Sequence, residues 1–167
     1  MSDYTHRIYL SIGSNISPVD NFRRALHLLN AYGRLESISR AWENPPIGSP
    51  GPYFLNAAAV YATDLPAETL KQQILRPIET ILGRVRTSDR YAARTIDLDI
   101  ILADGILLDP HLWDYHFLAV PMADLLPDYR HPETQKSLAE TAIEMRKHVL
   151  MTVSPETFKE FLIQEIE

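Results

Sequence analysis

The chain has 167 residues, 46% of them apolar, and a formal charge of −6 from 16 basic and 22 acidic side chains. That length suits one domain, able to bury about two thirds of its unfolded surface without disulfides or a structural metal, and the acidic balance argues against a nucleic-acid or membrane-surface protein. There is no cysteine, which excludes disulfides, thiolate catalysis and Cys-based metal centres; residues 1–7 lack a signal peptide's apolar core and no run reaches membrane-spanning length, so a cytoplasmic location is expected.

Residues 7–12 predict a first strand, stopped by Gly13-Ser14-Asn15, residue types that accept tight turns. Ser17 then stands as a helix N-cap with Pro18 in the first turn. Phe22, Ala25, Leu26, Leu28 and Leu29 make that helix's apolar side, and Gly33 lies where a C-terminal stop belongs. Residues 35–42 follow as a strand with Ile38 and Trp42 on one face. Residues 44–52 contain four prolines and two glycines, which no regular element survives; the stretch reads as a stiff connector or as a loop framing a pocket. Residues 53–63 read as a buried strand carrying Asn56, whose amide must find partners, either backbone groups or the edge of a ligand. Asp64 and Pro66 open a second helix to about Leu82, with Leu70, Ile74, Ile78, Ile81 and Leu82 toward the core and Gly83 as its stop; Pro77 predicts a kink at or before Arg76.

Residues 94–102, Arg-Thr-Ile-Asp-Leu-Asp-Ile-Ile-Leu, carry the chemistry. In a strand, Ile96, Leu98, Ile100 and Leu102 share an apolar face while Asp97 and Asp99 stand side by side on the other. Two adjacent carboxylates repel unless a cation joins them, so either may be removed at little cost to the fold, and a divalent ion such as Mg2+ suits the pair because it takes its remaining ligands from water and substrate phosphates. From 84 to 94 there are four arginines in eleven residues. Guanidinium forks beside a two-carboxylate site point to a phosphate-bearing substrate and phosphoryl transfer.

Asp104-Gly105 predicts a hairpin that returns along residues 106–108. The order strand, helix, strand, strand, helix, strand is that of an α+β, ferredoxin-like antiparallel sheet (βαββαβ) with helices on one face, extended by the hairpin strand and C-terminal helices. Beyond it, residues 109–115 read as irregular, 117–126 as apolar around Pro121, and 133–146 as weakly helical. Ser154-Pro155 opens an amphipathic C-terminal helix through residue 167, with Phe158, Phe161, Leu162 and Ile166 on one side. A single domain spans residues 1–167. No two histidines are spaced as a metal pair; His27 reads as structural, whereas His111 follows the hairpin and could donate to a phosphate oxygen.

Gly13-Ser14-Asn15, the Asn-Pro-Pro-Ile-Gly loop, Phe54-Leu-Asn-Ala-Ala, the Glu79 to Arg86 run and above all Arg94-Thr-Ile-Asp-Leu-Asp-Ile resemble the 6-hydroxymethyl-7,8-dihydropterin pyrophosphokinases of folate biosynthesis, in order and spacing over residues 7–145. The resemblance implies a kinase that moves the terminal pyrophosphoryl group of ATP to the pterin's hydroxymethyl oxygen and releases AMP. Asp97 and Asp99 would hold two Mg2+ ions, and Arg84 and Arg94 would be the catalytic arginines. Arg76, Arg86, Ile100, His111 and the residue at Tyr115 would contact ATP. Phe54 and Phe117 would sandwich the pterin, with Asn44, Pro45, Ile47 and Asn56 reading its edge, and Tyr91 would sit on a closing lid. ATP and the pterin are then the partners, with no nucleic acid or membrane, and a monomer is expected. The chain departs from the family in three places: Tyr91-Ala92-Ala93 replaces Trp-Gly-Pro, the segment before Phe117 is about two residues short, and Tyr115 stands where a triphosphate-binding arginine is expected. A paralogue that binds a pterin or nucleotide with weak or no transfer is the alternative.

Overall fold

The computed structural model describes residues 4–48, 50–89 and 92–162. Tyr91, Arg90 and Ile166 lie outside them. The central element is β1 (His6–Ser14), which pairs antiparallel with β4 (Phe54–Thr63) on one side and β5 (Asp97–Ala103) on the other. Beyond β4 come β2 (Arg34–Ile38), β3 (Trp42–Asn44) and the two-residue β7 (Thr152–Val153), and beyond β5 comes β6 (Ile106–Leu107). This is the ferredoxin-like order with one strand added at each edge. The predicted single strand over 35–42 is broken in two, because Ser39 turns its backbone and hydroxyl to Ala58 instead of continuing the ladder.

Alternation along β1 assigns its two faces. Ile8, Leu10 and Ile12 are fully buried against α1 (Pro18–Leu29) and the second helical segment, together with Ala57, Ala59 and Tyr61 of β4 and Leu98 of β5. The opposite face carries Ser11, Gly13, Asn56, Ala58, Asp97 and Asp99, and it is partly covered by α4 (His116–Leu125) and α5 (Leu138–Arg146). Helices therefore lie on both faces, not on one. The added layer is well anchored: α5 starts with a capping box between Ser137 and Glu140, and Trp42 lies between the guanidinium groups of Arg40 and Arg146, 4.7 and 4.8 Å from its ring centre.

Three local expectations are corrected. Ser17 sits before α1, but in the left-handed region (φ 41°) and without a capping hydrogen bond. Gly33 ends no helix through a positive φ; a side chain there would meet the Ala62 carbonyl at 2.4 Å and the Tyr61 ring at 2.7 Å, so it is a close-approach glycine. The C-terminal helix from Ser154 is absent among the described residues, where only a 3-10 turn at Lys159–Phe161 forms; Phe158 is nevertheless buried, its ring 5.0 Å from that of Phe22.

The second helical segment is interrupted just before Pro77. It runs as α2 (Ala67–Leu70), a π turn at Lys71–Leu75 and α3 (Arg76–Ile81), with the Arg76 N–H reaching back five residues to the Lys71 carbonyl. Pro77 has no N–H to give to the carbonyl four residues before it, and the wider turn relieves that mismatch. The extra residue also shifts the helix phase: Leu75, Ile78, Glu79 and Leu82 turn inward, while Ile81, expected in the core, is 62% exposed. Gly83 ends the segment with φ +86°, as expected.

Candidate active site

At the end of the sheet where β1 gives way to Asn15 and α4 begins, the face left open by α4 forms a cavity of about 330 Å3 lined by Gly13, Asn44, Ile47, Phe54, Asn56, Arg94, Asp97, His111, Tyr115 and Phe117. Sequence spacing brings these side chains to one face. Gly13 pairs with both Asn56 and Asp97, Ser11 with Asp99, and Asn44 with Phe54, so strands β3, β4, β1 and β5 each contribute to a single row. Phe117 and Tyr115 come from the first residues of α4 and its N-cap.

The polar end of the cavity is built by mutual hydrogen bonding. Asn56 donates to Asn44 Oδ1 at 2.5 Å, and Asn44 donates to the Pro45 carbonyl at 3.1 Å, which leaves both amides fixed and buried. Asn56 Oδ1 lies across Gly13, where a Cβ would stand 2.8 Å from it. Gly13 is thus required by packing inside the strand and not by a turn, a role invisible in a one-dimensional reading. Ile47 is 39% exposed at the rim.

The charged end is a network of four arginines and three carboxylates. Asp97 accepts from Arg84 at 2.7 Å and from Arg94 at 2.8 Å, one guanidinium on each oxygen. Glu79, only 2% exposed, accepts from Arg76, Arg84 and Arg86. Arg76 also donates to the Leu98 carbonyl at 3.2 Å across the unpaired edge of β5 and stands 3.6 Å from Asp99. Glu79 was not singled out by its residue type, since an α-helical count puts Ile81 on the core side instead; the π turn is what brings this carboxylate under the arginines. Asn15 was quoted only within a motif, yet it holds the Arg94 backbone in both directions.

Burial disfavours the charge on Asp97, but Arg84 and Arg94 outweigh it and hold its carboxyl below the usual range. At Asp99 partial burial and then the neighbouring Asp97 push the carboxyl up to about 7, against the weaker pull of Arg76. The two carboxyls are thus unequally compensated: Asp97 has a guanidinium on each oxygen, and Asp99 has only Arg76 at a distance. Among the described residues no group of three or more His, Asp or Glu side chains could enclose a metal, so a hard divalent ion here would depend on phosphate oxygens and water for most of its ligands, as Mg2+ does.

Other expected site residues are placed unevenly. Ile100 stays in phase with Ile96 and Leu98, packs toward the α1 core and does not line the cavity; just beyond it, a bulge in β5 sets Leu10 opposite Ile100 and Tyr9 opposite Leu102. Ile101 and Leu102 therefore both pack with the α4 layer, and the apolar face expected of 96, 98, 100 and 102 is broken. His111 lies in a 3-10 turn, Pro110–Trp113, with its ring 4.9 Å from that of Tyr115.

Residues 9–127 match the family model described as 7,8-dihydro-6-hydroxymethylpterin-pyrophosphokinase (HPPK). The 2-amino-4-hydroxy-6-hydroxymethyldihydropteridine pyrophosphokinase of Pseudomonas aeruginosa is 36% identical over 143 residues, 76% of this chain and 85% of that protein; its counterpart from Porphyromonas gingivalis is 34% identical, over 75% and 94%. The Folic acid synthesis protein FOL1 of Dictyostelium discoideum is 34% identical over 75% of this chain, which spans only 20% of that longer protein. The crystal structure of Plasmodium falciparum HPPK-DHPS wild type with SDX-DHP shares the fold, with a TM-score of 0.67 over 86% of this chain and 45% of that one at 11% identity. Sequence and fold agree, and the chain belongs to the 7,8-dihydro-6-hydroxymethylpterin-pyrophosphokinase family.

Proposed function

We propose that this cleft transfers pyrophosphate from ATP to 6-hydroxymethyl-7,8-dihydropterin and releases AMP. The observation that carries the reading is the lining of a single slot: the rings of Phe54 and Phe117 and a hydrogen-bonded amide pair share it with Arg94 and Asp97, which bond each other. A flat heterocycle with an amide edge fits the slot, and its hydroxymethyl arm would then reach the charged corner.

Asp97 and Asp99 are the residues that would hold Mg2+, two ions in our reading, and their opposed carboxyl shifts fit that role. When bound, the metal would neutralise charge on the triphosphate and polarise the transferring phosphoryl group. Arg84 and Arg94 stand ready to exchange Asp97 for phosphate oxygens, placing positive charge where it develops during transfer. Arg76, Arg86 and His111 would hold the rest of the triphosphate, Ile100 would border the adenine from the β5 edge, and closure of the loop that includes Tyr91 would exclude water as a competing acceptor. Glu79 keeps three of these guanidiniums gathered until phosphate arrives. Product analysis with ATP, Mg2+ and the pterin tests this: AMP and pterin diphosphate should appear in equal amounts. Binding of both substrates with no AMP would favour a non-catalytic paralogue.

A further inference from the structure

Tyr115 stands where the family resemblance asks for an arginine, but its surroundings are not those of a vacated cation site. The short 3-10 turn places it one turn after His111, with its N–H on the His111 carbonyl at 3.0 Å, and the two rings stack at 4.9 Å and 24°. The Tyr115 ring is also nearly parallel to Phe117, at 5.2 Å and 13°. All three rings line the same cavity as Phe54. The turn Pro110–Trp113 sets His111 and Tyr115 four positions apart, with only Asp114 between its last residue and the N-cap of α4. Meanwhile the charged corner already holds Arg76, Arg84, Arg86 and Arg94 against Asp97, Asp99 and Glu79. A fifth guanidinium is not needed to receive a triphosphate there.

We propose that Tyr115 is a positioning residue for the flat acceptor: braced by His111, it stacks with Phe117 and sets the angle of the wall that faces Phe54, so that the chain has exchanged a phosphate contact for a firmer hold on the ring. The inference rests on the cleft being a pterin site. Stacked aromatic pairs prefer offset, near-parallel geometry, and a wall of three linked rings resists tilting more than Phe117 alone at the start of a helix.

The test is titration of 6-hydroxymethyl-7,8-dihydropterin, followed by its fluorescence, into the full chain with Mg2+ and the α,β-methylene analogue of ATP, for wild type, Tyr115→Phe, Tyr115→Ala and Tyr115→Arg. The analogue's own Kd is measured in parallel. Tyr115→Phe should bind the pterin within about twofold of wild type, while Tyr115→Ala and Tyr115→Arg should bind it about tenfold more weakly, with the nucleotide Kd nearly unchanged. Unchanged pterin affinity in the alanine variant would overturn the proposal. So would an arginine variant that gains nucleotide affinity about tenfold and keeps pterin affinity, because position 115 would then be no more than a lost cation. Absence of pterin binding in the wild type would overturn the pterin reading itself and needs no variant to be seen.

Discussion

Asn15 clasps the Arg94 backbone with its own backbone and its side chain: the Asn15 N–H donates to the Arg94 carbonyl at 3.1 Å, and the Arg94 N–H returns a bond to Asn15 Oδ1 at 2.8 Å. The clasp ties the approach to β5 to the end of β1, so the Arg94 guanidinium meets Asp97 in a set direction. Asn15 is buried, and removing its side chain leaves the Arg94 N–H without a partner. Asn15→Ala should cost about 1–2 kcal/mol in stability and lower kcat about tenfold with little change in the KM for ATP. Asn15→Asp, which retains the acceptor, should recover most of both. An alanine variant with wild-type kcat would refute this role.

Asp97 and Asp99 are two residues apart on one face yet differ in what they do for stability. A carboxyl held low stabilises the fold above its unfolded pKa and ceases to as pH falls through its folded value; a carboxyl held high costs stability as soon as pH rises above its unfolded pKa, and the cost stops growing above its folded value. The mutual repulsion expected from the sequence is therefore one-sided, because Arg84 and Arg94 compensate only Asp97. At pH 8 Asp97→Asn should lower stability by about 1–2 kcal/mol after allowance for solvent screening. Asp99→Asn should raise the melting temperature at pH 8, raise it less at pH 5, and leave it close to wild type only below about pH 4, where Asp99 is protonated in the folded and unfolded chain alike. Both variants should lose transfer. Melting shifts of the same sign for the two at pH 8 would contradict the assigned ion pairs.

Gly13 offers a test of the acceptor site that spares the charged corner. In Gly13→Ala the new methyl would stand 2.8 Å from Asn56 Oδ1, and Asn56, bound to Asn44, has little room to retreat. Overpacking of this kind costs about 1–3 kcal/mol, and here it falls on the amide edge. Pterin affinity should drop at least tenfold while the Kd of an ATP analogue stays near that of the wild type. Equal losses for both ligands, read by calorimetry, would show that the two subsites are not separable in this way.

His116 begins α4 with its side chain buried and its Nε2 without a hydrogen-bond partner among the described residues. Burial lowers its pKa below the ordinary histidine value, so the unfolded chain takes up a proton first as pH falls below about 6.5. Stability should be complete above that pH and decline on the acid side, by up to about 1.4 kcal/mol per pH unit for one proton. Urea unfolding at pH 7.5 and 5.5 should show a smaller acid-side loss in His116→Gln than in wild type. Parallel losses in the two proteins would assign the acid sensitivity to other groups.

Most of the fold was legible because it depends on local signals. Pro18, the apolar stripe of α1, the Asp104-Gly105 turn with φ 50° and 80°, and the period-2 placement of Asp97 and Asp99 all act within a few residues. What escaped reading depends on tertiary contact or on an irregular count. Phe158, Phe161 and Leu162 have helical spacing, but the segment gains its burial through Phe158 against Phe22 and needs only one 3-10 turn. The bulge at the Ile100 to Leu102 step reverses the expected facing of Leu102. Several residues that line the cavity or build the charged corner stand out in the sequence because they carry unusual chemistry; Glu79 and Gly13 do not, because an ordinary carboxylate and an ordinary strand glycine acquire meaning only from their neighbours.

The π turn at Lys71–Leu75 works as a spacer whose thickness is one residue. Gln72 and Gln73 within it are exposed, so their identities are free to drift, whereas the number of residues is not. Each residue of an α-helix advances the face by about 100°. A chain one residue shorter in this turn would rotate α3 as a unit, carrying Arg76 and Glu79 together away from Leu98 and Asp99 and offering Ile81 to the core instead. The place of the carboxylate that gathers Arg76, Arg84 and Arg86 is thus encoded less by any side chain nearby than by a length, and alignments that close this gap by deleting a residue would misplace it.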